Sequence, residues 1–186
     1  MRRVLILGCA GTGKTTLART MGERLSLPVI HLDTLWEPSN PEAFREKLPA
    51  AVAGDAWVTE GHPDKVRDFA NALDLCVPRA DVVLFVHQPR WLSLWRVIRR
   101  WQRDRGQTRP DLPEGCTEQL DWPSLRWIWT FERRVRPAAE QALTAYATAV
   151  VHLNGNRDIA AFVLGLGSQA LDAEIQVVPD ELVALR

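Results

Sequence analysis

Short apolar runs recur along the chain at 3–7, 28–32, 56–60, 81–86 and 147–153, each closed by a polar cluster and most followed by a stretch of helical spacing. Runs this short and rich in Val, Ile and Leu suit strands buried on both faces. Their alternation with helical stretches is the pattern of a parallel sheet flanked by helices. The closing clusters fall at 8–15, 31–33, 60–62, 87–90 and 154–157. Ligands of such sheets bind beyond the carboxyl ends of the strands, so these clusters are expected to converge on one crevice. The fold class expected is therefore α/β, with a five-stranded parallel sheet.

Two segments depart from the alternation. From Trp91 to Arg105, Trp91, Leu94, Trp95, Ile98 and Trp101 recur at helical spacing, which reads as a packing face, while Arg96, Arg99, Arg100 and Arg103 gather on the other side. The following stretch carries Gly106, Pro110, Pro113, Gly115 and Pro123 and is too long for a simple connection, so a mobile arginine-rich lid is expected at about 101–125. An acceptor-binding helical insert is expected at about 34–56. The domain should end near 166, leaving 167–186 as an acidic tail with Asp172, Glu174, Asp180 and Glu181 against Arg186.

The most specific chemistry lies after the first run. Gly8, Cys9, Ala10, Gly11, Thr12, Gly13, Lys14 and Thr15 spell a complete P-loop, in the strand-to-helix context that such a loop needs. Its glycines let backbone N–H groups curl around phosphate oxygens, and the following helix points its positive dipole end at the same anion. Lys14 is expected to reach the β- and γ-phosphates, Thr15 to hold Mg²⁺, and Thr16 to add a donor near the α-phosphate. Asp33 follows Lys14 by nineteen positions at the end of the second run. It is the choice for orienting a phosphoryl acceptor, against the plainer reading of a helix N-cap.

Composition narrows the picture rather than changing it. With 186 residues, 46% of them hydrophobic, the chain can build one substantial core. A formal net charge of zero calls for neither nucleic acid nor an anionic membrane. Cys9, Cys76 and Cys116 lack metal-ligand or CxxC spacing, and no signal peptide or membrane span is evident, so a cytoplasmic protein with reduced thiols is expected. Neither the NKxD nor the DxxG motif of a GTPase occurs, and the run at 81–86 ends in His87-Gln88-Pro89 rather than in the Asp of a motor ATPase. Seven arginines face the single acid Asp104 between Arg90 and Arg109, a concentration that ATP phosphates would relieve.

The P-loop, the His31-Leu32-Asp33 strand end, Glu60-Gly61-His62-Pro63, the arginine-rich segment from Arg96 and the Val151-His152-Leu153 strand together resemble the adenylate-kinase-like P-loop kinases. Within that group, Pro89-Arg90-Trp91, Thr108-Arg109-Pro110-Asp111, Glu114-Gly115-Cys116 and the Trp-rich segment after Asp121 resemble the proteins labelled DNA topology modulation protein, or FlaR-like. The resemblance covers roughly 1–160 and implies ATP and Mg²⁺. It implies that Arg96 lies against the adenine and that Arg99 or Arg100 grips phosphates as the lid closes, with Arg133, Arg134 and Arg136 contributing from the returning helix; Arg99, Arg100 and Arg103 are the catalytic candidates of the segment. It places the turn with Asn156 and Arg157 beneath the base. Glu60 and Gly61 resemble an Asp-Gly pair whose acid supports the metal, whereas His62-Pro63 replaces an aromatic-Pro-Arg, and the missing arginine argues against a nucleoside monophosphate acceptor. Trp36 is either an apolar wall for the acceptor or a loop anchor, and His62 either faces the substrate or is structural.

The expectation is thus a kinase that transfers the γ-phosphate of Mg-ATP to a nucleoside, nucleotide or other hydroxylated metabolite. Two alternatives stay open: a nucleic-acid-associated ATPase, consistent with mixed Trp and Arg but not favoured, and an ATP-binding sensor without turnover. Nothing in the pattern specifies an oligomeric state.

Overall fold

In the computed structural model, which describes residues 1–35, 40, 42–61, 69–104 and 120–166, the apolar runs form five parallel strands in the order β2-β3-β1-β4-β5. They are β1 (Arg3–Gly8), β2 (Val29–His31), β3 (Trp57–Glu60), β4 (Val82–His87) and β5 (Ala149–Asn154). Each expected strand lies within about two residues of its observed position, the usual scatter of strand ends. The helices are α1 (Lys14–Leu25), α2 (Glu42–Ala51), α3 (Phe69–Cys76), α4 (Arg90–Arg103), α5 (Trp122–Arg134), α6 (Arg136–Leu143) and α7 (Gly155–Gly165).

Strand alternation divides the core into two layers. Val4 and Ile6 of β1 and Val82, Leu84 and Val86 of β4 point to one face, where Leu17, Ala18 and Met21 of α1 cover them, with Ile159 and Phe162 of α7. Leu5, Leu7, Val83 and Phe85 point to the other, against Phe44 and Leu48 of α2 and Ile128 and Phe131 of α5. A sheet covered on both faces needs runs apolar at every position, which is why β1 and β4 carry no alternation of polar residues. The same alternation puts His87 on the face of Val83 and Phe85.

Register brings the strand ends into line. His31 pairs with Glu60, Ile6 with Glu60, Gly8 with Val86, and His87 with Asn154. Because β1 has β3 on one side and β4 on the other, its carboxyl end lies where the winding of the chain reverses, the position at which open α/β sheets form their binding crevice. No helix among the described residues is long and apolar enough to cross a membrane.

The amino end of the sheet is closed by a different device. Asp81 Oδ2 accepts the backbone N–H groups of Arg2 (2.6 Å) and Arg3 (3.0 Å), and Oδ1 accepts the Arg3 guanidinium at 3.1 Å. Burial opposes ionisation of Asp81, but these hydrogen bonds and the Arg3 charge outweigh it and hold the carboxyl below its ordinary value.

The helix from Arg90 differs from its expected orientation. Trp91 and Trp95 are 65% and 52% exposed, while Ser93 and Val97 turn inward, so the tryptophan face is not the core face. The reason is steric: α4 packs on the P-loop through the backbone of Ser93, whose carbonyl oxygen leaves no room for a Cβ at Gly11. Three arginines of α4 have partners within the described residues. Arg90 lies over the Trp129 ring at 4.1 Å, Arg99 over Trp95 at 5.1 Å, and Arg103 pairs with Asp104 at 2.6 Å. Both ends of the 101–125 span are helical, in α4 and α5, and its centre, the tail at 167–186, Trp36 and His62 lie outside the described residues.

Candidate active site

The loop between β1 and α1 has the backbone that its sequence requires. Gly8, Gly11 and Gly13 take φ of +147°, +76° and +98°. Gly11 is doubly constrained: besides its positive φ, a Cβ there would lie 2.3 Å from the Ser93 carbonyl oxygen. Gly13 is the N-cap of α1 and offers no side-chain cap, so the first N–H groups of the helix remain directed at the loop's interior, an arrangement made for an anion.

Lys14 is buried, its ammonium donating to the Cys9 carbonyl at 2.8 Å, and the Thr12 hydroxyl donates to the same oxygen at 2.8 Å. Burial pushes the Lys14 pKa down, and the negative charges of Glu60 and Asp33 oppose that shift. A charge kept at a desolvated position is costly for folding, and its value lies in what it contacts there.

Glu60, at the end of β3, is 5% exposed and receives two donors on one oxygen, the Thr15 hydroxyl at 3.1 Å and His31 Nδ1 at 2.7 Å. Burial resists its ionisation. The His31 hydrogen bond, the Lys14 charge and the Thr15 bond together outweigh burial, so the carboxyl stays below its ordinary value and is anionic at neutral pH. A hydroxyl and a carboxylate side by side beneath the phosphate loop are hard oxygen donors, the set that Mg²⁺ takes alongside phosphate and water. The structure thus brings together Thr15 and Glu60, the two residues expected at the metal.

Asp33 sits in a 3-10 turn, Leu32–Leu35, directly after β2. Its charge acts on Lys14, and its Oδ1 lies 3.6 Å from the point a Cβ at Gly61 would occupy. Lys14, Asp33, Glu60 and Gly61 therefore face one space. On the other side of the loop, Arg96 contacts the Gly11 carbonyl at 3.4 Å and donates to Asn156 Oδ1 at 3.0 Å. Gln88 Nε2 donates to the same Asn156 oxygen at 2.9 Å, tying the end of β4 to the first turn of α7. Arg100 is near enough to influence Lys14 electrostatically. Thr16 and Arg157 are exposed in the first turns of α1 and α7, while Arg99 and Arg103 are engaged by Trp95 and Asp104. Arg136 is held between Glu132 and Glu140.

Sequence reasoning does not single out His31 as a partner of Glu60, nor Gln88 as a partner of Asn156. The signal for His31 is register alone, since β2 and β3 must pair with their last residues level.

No protein-family model matches the chain, and a search of curated proteins finds no match. Solved structures do match over nearly the full length. Shikimate kinase from Acinetobacter baumannii, in complex with shikimate, superposes with a TM-score of 0.56 at 19% identity, covering 95% of this chain and 96% of that one. A gluconokinase from Sinorhizobium meliloti gives 0.51 at 15% identity and 89% of both chains. Deoxyadenosine kinase from M. mycoides gives 0.50 at 9% identity, with 87% and 94% covered. The fold is that of the P-loop kinases. Within a P-loop kinase fold, the loop at 8–15 and the strand ends carrying Asp33, Glu60 and Asn156 occupy the crevice that the strand order dictates.

Proposed function

We propose that the chain is an ATP-dependent small-molecule kinase that transfers the γ-phosphoryl group of ATP to a hydroxylated acceptor. The observation that carries this reading is the convergence of a glycine-built anion loop, a buried Lys14 and two carboxylates from separate strand ends, Asp33 and Glu60, on one space. Phosphoryl transfer needs positioning and charge neutralisation more than covalent chemistry, and this arrangement supplies both.

Loop N–H groups and the α1 terminus cradle the β-phosphate, and Lys14 leaves the Cys9 carbonyl to neutralise the transferring group. Thr15 and Glu60 would hold Mg²⁺, and the ion would supply neutralisation of phosphate charge there. His31 fixes the Glu60 carboxylate, and Asp33 orients the acceptor hydroxyl and accepts its proton. Arg96 lies against the base, with Asn156 held by Gln88 at the turn below. Arg100 serves the phosphates on closure of the arginine-rich segment.

The acceptor belongs among nucleosides, nucleotides and other hydroxylated metabolites. The named neighbours, two of them kinases of shikimate and gluconate and one of deoxyadenosine, support that range. The Pro89-Arg90-Trp91 and Thr108-Arg109-Pro110-Asp111 motifs support placement nearest the DNA topology modulation (FlaR-like) proteins.

A second reading, a nucleic-acid-associated ATPase, is favoured by one observation: Trp91, Trp95, Trp122 and Trp129 are all exposed, with Arg90 and Arg99 stacked among them. One assay separates the readings. ADP release from Mg-ATP is measured alone and with pooled nucleosides, nucleotides, sugar acids and single-stranded nucleic acid. Release with one small-molecule pool establishes the kinase, and splitting that pool names the acceptor. Release with nucleic acid alone establishes the ATPase. ATP binding without release under any condition overturns both in favour of a sensor.

A further inference from the structure

On the sheet face opposite α1, the ends of β4 and β5 carry a second polar group that the proposed chemistry does not use. His87 Nε2 lies 3.0 Å from His152 Nδ1, and their rings, 12° from parallel, sit at 5.3 Å between centroids. Glu140 of α6 approaches His152 Nδ1 at 3.8 Å, and Glu132 of α5 approaches His87 Nδ1 at 3.7 Å. Arg136 donates to both carboxylates, at 2.8 Å to Glu140 and 2.9 Å to Glu132. His87 is 5% exposed, and its Nδ1 has no hydrogen-bond partner. Phe85 stacks on His87 at 4.7 Å and fixes the ring.

We infer that His87, His152 and Glu140 form a binding site for a Zn²⁺-class divalent cation. One ligand atom from each lies within 4.8 Å of the other two. Tetrahedral bonds of about 2.0–2.1 Å set ligand atoms roughly 3.3 Å apart, and two of the three separations here, 3.0 and 3.8 Å, lie on either side of that value. Two imidazole nitrogens and one carboxylate oxygen select Zn²⁺ and its late-transition neighbours over Mg²⁺ or Ca²⁺. With both imidazoles neutral, two carboxylates and one guanidinium leave the cluster net negative. His152, with 40% of its side chain exposed, gives the ion an entry path and water a fourth position.

Proton accounting is consistent. Coordination needs lone pairs on His87 Nε2 and His152 Nδ1, so the proton between them moves to His152 Nε2, at solvent. His87 keeps its proton on Nδ1, facing the Glu132 carboxylate 3.7 Å away, on the side where a metal-bound histidine ordinarily has its carboxylate partner. His152, with room at the surface, tilts from the mutual line to share the ion while the His87 ring stays against Phe85. The ion would join β4, β5 and α6 one residue before Gln88.

The test is a Co²⁺ titration of the full chain in excess Mg²⁺, which keeps the phosphate site occupied, followed by visible d–d absorption and by Tm with Zn²⁺. Expected are saturation at one Co²⁺ per chain with four- or five-coordinate intensity, no thiolate charge-transfer band, displacement by Zn²⁺, and a Zn²⁺-dependent rise in Tm. His152→Gln and Glu140→Gln, each checked for native circular dichroism, should each weaken binding at least about tenfold and lose the Tm rise. Absence of a saturable signal, an unchanged signal in His152→Gln, or a dominant thiolate band would overturn the site. None of these readouts depends on turnover, so failure here leaves the kinase reading standing.

Discussion

The two ends of the sheet are built from the same residue types to opposite purposes. At the amino end, Asp81 accepts from Arg2 and Arg3, both partly at solvent, and every bond joins one part of the fold to another. At the carboxyl end, Lys14 and Glu60 are buried with charges that folding alone would not select, on a loop held in positive φ at three glycines. Buried charges are weak support for stability, and glycines lose more conformational freedom on folding than other residues. The contrast teaches which charges serve the fold and which await a ligand. Substitutions at one end should therefore lower stability and spare turnover, and those at the other should do the reverse.

The sharpest way to break that contrast is Lys14→Ala. It should lower turnover by about a thousandfold or more while leaving a cooperative thermal transition close to wild type, since the removed charge paid a desolvation cost. A folded variant with unchanged ADP release would sink the role given to Lys14. Next in size is Asp33→Asn, expected to lower kcat by about a hundredfold with ATP affinity unchanged by calorimetry. Loss of ATP binding instead would move Asp33 to the metal or to the loop. Arg96→Ala should weaken ATP binding by about tenfold, because it removes one charge-assisted contact shared by the loop and Asn156. The smallest effect belongs to the other end. Asp81→Asn should cost about 1 kcal/mol or less, read as a lower Tm, with kinetics untouched.

That last variant also has a pH signature. The folded pKa of Asp81 lies below its ordinary value of 3.8, so its contribution is present in full above the unfolded value and is lost as pH falls through the folded one. Wild type should lose this increment only in the acid range below about pH 4, and Asp81→Asn should show a flatter acid limb in pH-dependent denaturation. An unchanged acid limb would show that the Arg2 and Arg3 contacts do not persist in solution.

Much of this was legible in the chain. Five apolar runs placed five strands, because a doubly covered parallel sheet leaves no polar alternation to confuse the pattern. Thr15 and Glu60 were separately expected at a metal, and β1–β3 pairing is what sets them 3.1 Å apart. The face of α4 was misjudged from spacing. Helical periodicity finds the apolar stripe, but it has no knowledge that the backbone at Ser93 packs against Gly11 of the P-loop or that Arg90 and Arg99 can cover tryptophans at the surface. His31 and Gln88 stayed hidden for a related reason: each acts through a cross-strand or loop partner far away in sequence.

The close approach of Gly11 to the Ser93 carbonyl has a mechanical meaning. With 2.3 Å between that oxygen and the Cβ that Gly11 lacks, and with Arg96 reaching the Gly11 carbonyl one turn further on, the root of α4 is clamped to the phosphate loop. Any motion of one is then coupled to the other, as in a lever arm. A nucleotide that reshaped the loop would displace the base of the arginine helix directly, and a small rotation there would be multiplied along the fourteen residues of α4, Arg90–Arg103.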